Sequence, residues 1–434
     1  MITIYGKYTN AIVYTVENEE YALEEYARKQ LQRICDHPSA EGSVIRVMPD
    51  VHPGKVGTIG LTMTVGDSIL PSLVGVDIGC GMTIAKVKTK GVECRKLDAV
   101  IRDDVPAGGA LRKKLHRLAD QAELSKLRCF DKIDEGRALC SIGTLGGGNH
   151  FIEVDRDDEK NIYLVIHSGS RHLGMEVTDY YLKAGQKEAQ AKKQGYAPYE
   201  MTCLNGQLME DYLHDLAVTQ EFARINREAM IDSIVRGMKW KVEEMFTCIH
   251  NYVDFSGVTD TIRHAEKNVA SDIISEVATL NTEKAIPVLR KGAISAKKGE
   301  RVIIPINMRD GVILGTGLGN EDWNCSAPHG AGRIYKRSEV AEHHTVSEFK
   351  KEMHGIYSSC INKDTLDESP FAYRKIEDIA GVLGETVKID RVLKPIYNYK
   401  AGGRSDHDAA MISNRDDRRA DERSEGALPW KGRD

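Results

Sequence analysis

Apolar and polar positions alternate from Ile2 to Val16 among β-branched residues, which predicts an opening strand. From Glu19 to Cys35 the pattern changes. Tyr21, Leu23, Tyr26, Ala27, Leu31 and Ile34 recur at helical spacing, which predicts an amphipathic helix. A short strand, Val44–Met48, leads into the loop Pro49–Lys55, and another strand is predicted over Thr83–Val87. The charged stretch from Cys94 to Leu139 reads as mostly helical. Strands at Phe151–Val154 and Tyr163–Ile166 follow, then a helical region from Gly174 to Phe246 broken near Gly195–Cys203. Its Asp211–Phe246 part carries the strongest helical pattern. Strands return after Val302, interrupted by Gly311, Gly315, Gly317 and Gly319, and the last folded element ends near Tyr397. There is no regular βαβ alternation. The expected fold is therefore α+β, with helices packed around largely antiparallel sheets. No linker stands out before Lys400. Residues 1–403 are expected to form one domain, and residues 404–434, rich in Arg, Asp, Ser and Gly, a disordered polar tail.

Composition narrows the class. Hydrophobic residues make up 41% of the 434, enough for a packed core, and no apolar run approaches a membrane span. The N-terminus lacks the basic-then-apolar plan of a signal peptide. Nine cysteines, none spaced as CxxC, argue against a disulfide framework and for a reducing, cytoplasmic compartment. The net charge of −5 argues against bulk electrostatic binding to nucleic acid but permits a local basic groove.

The chemistry concentrates in glycine-rich segments. Gly75-Val76-Asp77-Ile78-Gly79-Cys80-Gly81-Met82 sets a carboxylate and a thiol three residues apart, where glycine freedom lets both turn to one point. His150, His167, His250 and His329 sit in comparably tight settings. Alone, Asp77 and Cys80 are as well read as a turn cap and a small buried residue. With several histidines in similar loops, a metal centre is the better reading. Thiolate and imidazole favour Zn²⁺ and the carboxylate also suits Mn²⁺; on spacing alone zinc is the first choice. His250 by itself reads as a helix-end histidine. Arg171, in His167-Ser168-Gly169-Ser170-Arg171, is a candidate phosphate partner. So is the cluster beginning Arg290-Lys291-Gly292, although Lys297-Lys298 within it also reads as a solvated turn. There is no GxxxxGK[ST] loop and no lysine-centred nucleotidyl-transfer signature. Any nucleotide activation needs another nucleophile, which favours His329 in Pro328-His329-Gly330-Ala331-Gly332-Arg333. A metal-ligand role for His329 fits the residues equally well.

Taken in order, these segments resemble the RtcB family of RNA ligases. The resemblance rests on Met48-Pro49-Asp50-Val51-His52-Pro53-Gly54-Lys55, the Asp77/Cys80 segment, Gly143 to Glu153, His167 to Arg171, His250-Asn251-Tyr252-Val253, Arg290-Lys291-Gly292-Ala293 and His329 to Arg333. It covers most of the chain from Val44 to Arg337 and weakens toward Lys400. It implies an RtcB-like catalytic domain that is Mn²⁺- and GTP-dependent. One Mn²⁺ would be held by Asp77, Cys80 and His150, and the other by Cys80, His167 and His250. His329 would take GMP from GTP. Asn149, Glu153, Gly330, Ala331, Gly332 and Lys400 would contact the guanylate, Glu153 at the guanine. Asp50 and His52 would assist near the metals, or merely fix their turn. Arg171, Arg290, Lys291 and Arg333 would form a basic surface for RNA phosphates. The implied reaction opens a 2′,3′-cyclic phosphate to a 3′-phosphate, caps it with GMP, and joins it to a 5′-hydroxyl, for RNA repair or tRNA splicing. An archease-like activator is a candidate partner.

Three departures point to a divergent bacterial branch. Ile304-Pro305-Ile306-Asn307-Met308-Arg309-Asp310-Gly311 stands where relatives carry small residues. The 254–289 span looks long, and the chain continues past Lys400. Two competing readings are a metal-dependent cyclic-phosphate phosphohydrolase and an RNA-end-binding protein without ligation. Neither needs the His329 motif.

Overall fold

A computed structural model describes residues 1–16, 23–193, 198–255 and 286–401. The expected 404–434 tail and most of the 254–289 span lie outside the described residues.

Two sheets carry the molecule. The six-stranded sheet runs Ile2–Tyr5, Asn10–Val13, Ile45–His52, Ile59–Thr64, Val288–Lys291, Asn251–Asp254. The seven-stranded sheet runs Lys241–Ile249, Gly81–Lys88, Ile162–Ser168, Phe151–Arg156, Val387–Lys400, Gly311–Gly317, Arg301–Asn307. Among the described residues, every strand pair is antiparallel except Asn10–Val13 with Ile45–His52. This is the α+β arrangement expected from the sequence. The chain crosses from one sheet to the other at His250, between two strands rather than after a helix.

Local chemistry explains where the elements differ from expectation. The opening strand is a hairpin, because the chain turns back over Gly6–Thr9. A Cβ on Gly6 would lie 2.2 Å from Cys35 Cβ, so glycine lets the turn pack against the end of the helix Glu25–Cys35. The charged 94–139 stretch is helical only at Cys94–Asp104 and Glu135–Ser141, with short 3₁₀ turns between. The helix expected over Asp211–Phe246 is instead Gly206–Met238. Lys239 takes a left-handed conformation (φ 58°), and Lys241–Ile249 then pairs with Gly81–Lys88. Tertiary pairing overrides the helix preference of Glu243, Glu244 and Met245.

Helix Gly206–Met238 serves both cores. Leu216 and Phe222 pack with Val47, Leu61 and Tyr181 beside the six-stranded sheet. Met230 and Ile234 pack with Ile152, Val154, Leu164 and Ile166 of the other sheet and with Leu97 and Ile101. Between these patches Arg227 is fully buried. It donates to the carbonyls of Gly79 (2.8 Å) and Ser168 (2.9 Å), and to the hydroxyls of Thr83 (2.9 Å) and Thr247 (3.1 Å). Three chain segments are thus tied to one guanidinium. Arg227→Met should lower the unfolding free energy by about 3 kcal/mol or more, because the buried acceptors on Gly79, Thr83 and Ser168 lose a charged donor. Denaturant titration checks this, and a loss below about 1 kcal/mol would contradict the clamp.

Candidate metal centre and adjoining cleft

Asp77 and Cys80 lie in the turn between the helix Pro71–Val74 and the strand Gly81–Lys88. Gly75 (φ 94°) and Gly79 (φ 68°) make that turn possible, in backbone regions that side chains avoid. His150 immediately precedes the strand Phe151–Arg156, and His167 lies near the end of its neighbour, Ile162–Ser168. Strand pairing sets Phe151 opposite His167 and Met82 opposite His167, which brings three loops to one sheet end.

The donors converge as two sets that share a thiol. Asp77, Cys80 and His150 form one set, and Cys80, His167 and His250 the other; within each, the ligand atoms lie within 4.8 Å of one another. Cys80 Sγ is 3.4 Å from Nε2 of both His150 and His167. His167 Nε2 is 3.4 Å from His250 Nε2, and His150 Nε2 is 3.0 Å from Asp77 Oδ2. Outer hydrogen bonds aim the rings. His150 Nδ1 donates to the Leu145 carbonyl (2.9 Å) and His167 Nδ1 to that of Asn149 (3.1 Å), which turns each Nε2 toward the centre.

The electrostatics fit a cation site. Burial holds His167 and His250 well below the usual histidine range, so both rings are neutral and able to ligate. Burial would raise Asp77, but hydrogen bonding to and the charge of His150 overcome it and hold the carboxyl at about 2. Burial and the adjacent Asp77 charge push the Cys80 thiol well above its ordinary value. A cation would relieve that cost by taking the thiolate. Three imidazoles, one thiolate and one carboxylate, arranged as two three-donor sets, suit Zn²⁺ or Mn²⁺.

The centre tolerates no bulk beside Asp77. A Cβ on Gly169 would lie 2.0 Å from Asp77 Oδ1. Gly169→Ala should displace the carboxylate and weaken metal binding at that set by about tenfold or more. Equilibrium dialysis reads this, and unchanged affinity would show that Asp77 is not a ligand.

A cleft opens beside the second set. It is lined by His52, Asn149, Glu153, His167, His250, His329, Gly330, Ala331, Gly332, Arg333 and Lys400, among others. The structure thus brings most of the sequence-derived candidates to one place. The His329 and His250 ring centroids are 4.9 Å apart. Asp50, buried outside the cleft lining, accepts from His329 twice, at Nδ1 (2.7 Å) and at the backbone N–H (3.2 Å). His52 Nδ1 donates to the Asp50 carbonyl (2.9 Å), and burial depresses its pKa to about 4.

The expected basic surface is corrected. Arg290 is fully buried and donates to Ser326 Oγ (2.9 Å), Tyr252 OH (3.0 Å) and Asp254 Oδ2 (2.8 Å). Lys291 is buried, its Nζ donating to the carbonyls of Val56 (3.0 Å) and Ser72 (2.9 Å). Arg171 is buried against Thr144 Oγ1 (3.2 Å) and the Gly108 carbonyl (2.8 Å). These three brace the loops from within, because each head group reaches acceptors far away in sequence. Arg333 does line the cleft, where Glu368 (3.3 Å) and the Tyr373 hydroxyl (3.0 Å) hold it.

Sequence reasoning missed several residues of the cleft. Glu368 is buried and pairs with Lys400, Arg333 and Arg337. Burial opposes its charge, but Lys400, Arg337 and Arg333 hold its carboxyl well below the usual range. No motif marks Glu368; only the need of a buried Lys400 for an anion points to such a partner. Asn398 lies beside Glu153 and donates from Nδ2 to its Oε2. In the 306–310 departure, Asn307 and Met308 line the cleft. Arg309 and Asp310 instead pair with each other (2.9 Å), and Arg309 also with Glu352.

A family model described as tRNA-splicing ligase RtcB matches residues 30–130 and 112–401. RNA-splicing ligase RtcB of Escherichia coli strain K12 is 29% identical over 390 residues, covering 82% of this chain and 90% of that relative. RNA-splicing ligase RtcB2 of E. coli strain ATCC 25922 is 27% identical over 427 residues, covering 92% and 99%. The tRNA-splicing ligase RtcB of Aeropyrum pernix is 26% identical over 412 residues, covering 77% and 83%.

Proposed function

The chain belongs to the RtcB family, and from that premise we propose that it is an RNA ligase joining 3′-phosphate or 2′,3′-cyclic phosphate ends to 5′-hydroxyl ends, with GTP as co-substrate. The carrying observation is the setting of His329. Its imidazole lines the cleft with its ring centroid 4.9 Å from that of His250, and its Nδ1 is fixed by a buried carboxylate.

Asp50 selects the tautomer. Nδ1–H donates to its carboxylate, so the Nε2 lone pair is free to attack. Nε2 attacks the α-phosphorus of GTP, the N–P bond forms, and the bond to the bridging oxygen breaks to release pyrophosphate. The resulting N-guanylyl imidazolium is cationic, and the Asp50 carboxylate balances it. An oxygen of the RNA 3′-phosphate then attacks that phosphorus, the N–P bond breaks, and His329 is regenerated beside RNA-ppG. The 5′-hydroxyl attacks the RNA phosphorus, loses its proton and expels GMP. Two Mn²⁺ ions, one held by Asp77, Cys80 and His150 and the other by Cys80, His167 and His250, would supply Lewis-acid neutralisation of the phosphoryl oxygens. His52, kept neutral by burial and donating from Nδ1, has an unprotonated Nε2 at the cleft that would take a proton. Asn149 would contact the guanylate phosphate and Lys400 would face the guanylate; both line the cleft.

Among the described residues no helix is long and apolar enough to cross a membrane. A cytoplasmic location remains part of the proposal.

Asp50→Asn should slow guanylylation on the order of 10²–10⁴-fold, since an amide can hold His329 in the wrong tautomer. Labelling by α-radiolabelled GTP measures this, and a loss under about threefold would remove Asp50 from the mechanism. The reaction as a whole is tested with a 3′-phosphate RNA and a second RNA lacking its 5′-hydroxyl. The first RNA should accumulate as RNA-ppG. If the ends are hydrolysed and no capped RNA forms, the protein is a phosphohydrolase.

A further inference from the structure

The cleft wall beside Glu153 holds a polar atom that no described residue satisfies. Asn398 is 1% exposed and lines the cleft, and its Oδ1 has no hydrogen-bond partner among the described residues. Such an atom costs stability unless something fills the site and donates to it. Asn398 sits opposite Glu153 in the register of Val387–Lys400 with Phe151–Arg156, as Lys400 sits opposite Phe151. Tyr397 and Tyr399, the alternate positions, point into the core on the other side. Phe151, Glu153, Asn398 and Lys400 therefore share one face of the sheet, toward the cleft.

Asp155 fixes which way the amide turns. It is fully buried, two residues from Glu153 on the same strand face, and neither of its oxygens has a donor among the described residues. Its neighbour is the Glu153 carboxylate. Burial pushes both carboxyls upward, Asp155 to about 7. Glu153 has Asn398 as a donor and Asp155 has none among the described residues, so a proton shared between the two acids would serve Asp155. The other oxygen of Glu153 then accepts from Asn398 Nδ2, which leaves Oδ1 as the unpartnered atom. The nearby cation, Lys400, is tied to Glu368. This part of the wall thus presents acceptors. It suits a planar base whose edge carries N–H donors, and it opposes one whose edge carries a ring acceptor.

We propose that Asn398 is a specificity-determining residue for the nucleotide, its Oδ1 accepting from the exocyclic amine of guanine while Glu153 reads the adjacent ring N–H. This rests on the GTP-dependent reading above and names a residue that the motifs of the chain do not mark.

Hypoxanthine lacks the exocyclic amine and is otherwise the same base, so GMP and IMP are the probes. The full chain should bind GMP about tenfold or more tighter than IMP, the effect of leaving one buried acceptor unpaired. Asn398→Leu keeps the size and removes the acceptor. It should bring the GMP/IMP ratio toward one, chiefly by weakening GMP. A general disturbance of the wall would weaken both ligands and leave the ratio unchanged. A ratio near one in the unsubstituted chain, or a ratio that Asn398→Leu does not move, overturns the inference. The first arm needs no variant, so misfolding of Asn398→Leu does not spare it. Binding is read by calorimetry, apart from transfer to His329. A protein that prefers GMP through Asn398 but is never labelled by GTP keeps this inference and sinks the transfer reading. A labelled protein whose ratio is insensitive to Asn398 does the reverse.

Discussion

His329→Ala should reduce guanylylation and RNA joining to the assay floor, a loss on the order of 10⁴-fold or more. The size of the effect follows from the role. A phosphate monoester is a poor electrophile until it carries a leaving group, and His329 is the only residue here assigned to deliver one. His329 lies outside both three-donor sets. Metal content should therefore stay close to that of the unsubstituted chain. That pairing of outcomes separates a nucleophile from a ligand. If His329→Ala lost metal in step with activity, the equally good sequence reading of His329 as a ligand would stand. If the variant still formed RNA-ppG, the nucleophile would have to be another group.

The second large effect is expected at Cys80, the one donor common to both sets. Cys80→Ala should weaken Mn²⁺ binding at both sites by about 10²-fold, and activity should fall with it. His150→Ala should weaken one site and spare the other, because His150 belongs to one set alone. The thiol also fixes the sign of the pH dependence. Burial and Asp77 hold it well above its ordinary value, so the metal-free protein keeps the proton at neutral pH. Metal binding must expel that proton, and affinity should rise about tenfold per pH unit across the neutral range. In Cys80→Ala this slope should disappear. Titration calorimetry in buffers of different ionisation enthalpy counts the proton directly. Equal proton release in the two proteins would mean that the thiolate is not a ligand.

The ease of reading the sequence varied with the locality of the signal. Asp77 and Cys80 advertise themselves because their own segment supplies the turn glycines Gly75 and Gly79. The same is true of His150, which closes a glycine run. The antiparallel sheets were legible from the lack of βαβ alternation. What was hidden depends on distant partners. Asp50 and His329 are 279 positions apart, and nothing near Asp50 tells a turn cap from a carboxylate that orients an imidazole. Arg290 and Lys291 look like a solvated basic patch because charge normally stays in water. Their acceptors, Ser326 and Tyr252 for one and Val56 and Ser72 for the other, become neighbours only in the folded sheet. The helix end at Lys239 was misplaced because Glu243, Glu244 and Met245 continue a helical composition into residues that pair as a strand. Asn398 and Glu368 carry no motif at all. Their roles appear only with the cleft.

The most direct test of the central claim is tandem mass spectrometry of the protein after incubation with GTP and Mn²⁺, without RNA. One guanylyl adduct is expected, acid-labile as a phosphoramidate should be, on the peptide that carries His329. It should be discharged when 3′-phosphate RNA is added. An adduct on a lysine, or none in a protein shown to hold its metal, would contradict the claim.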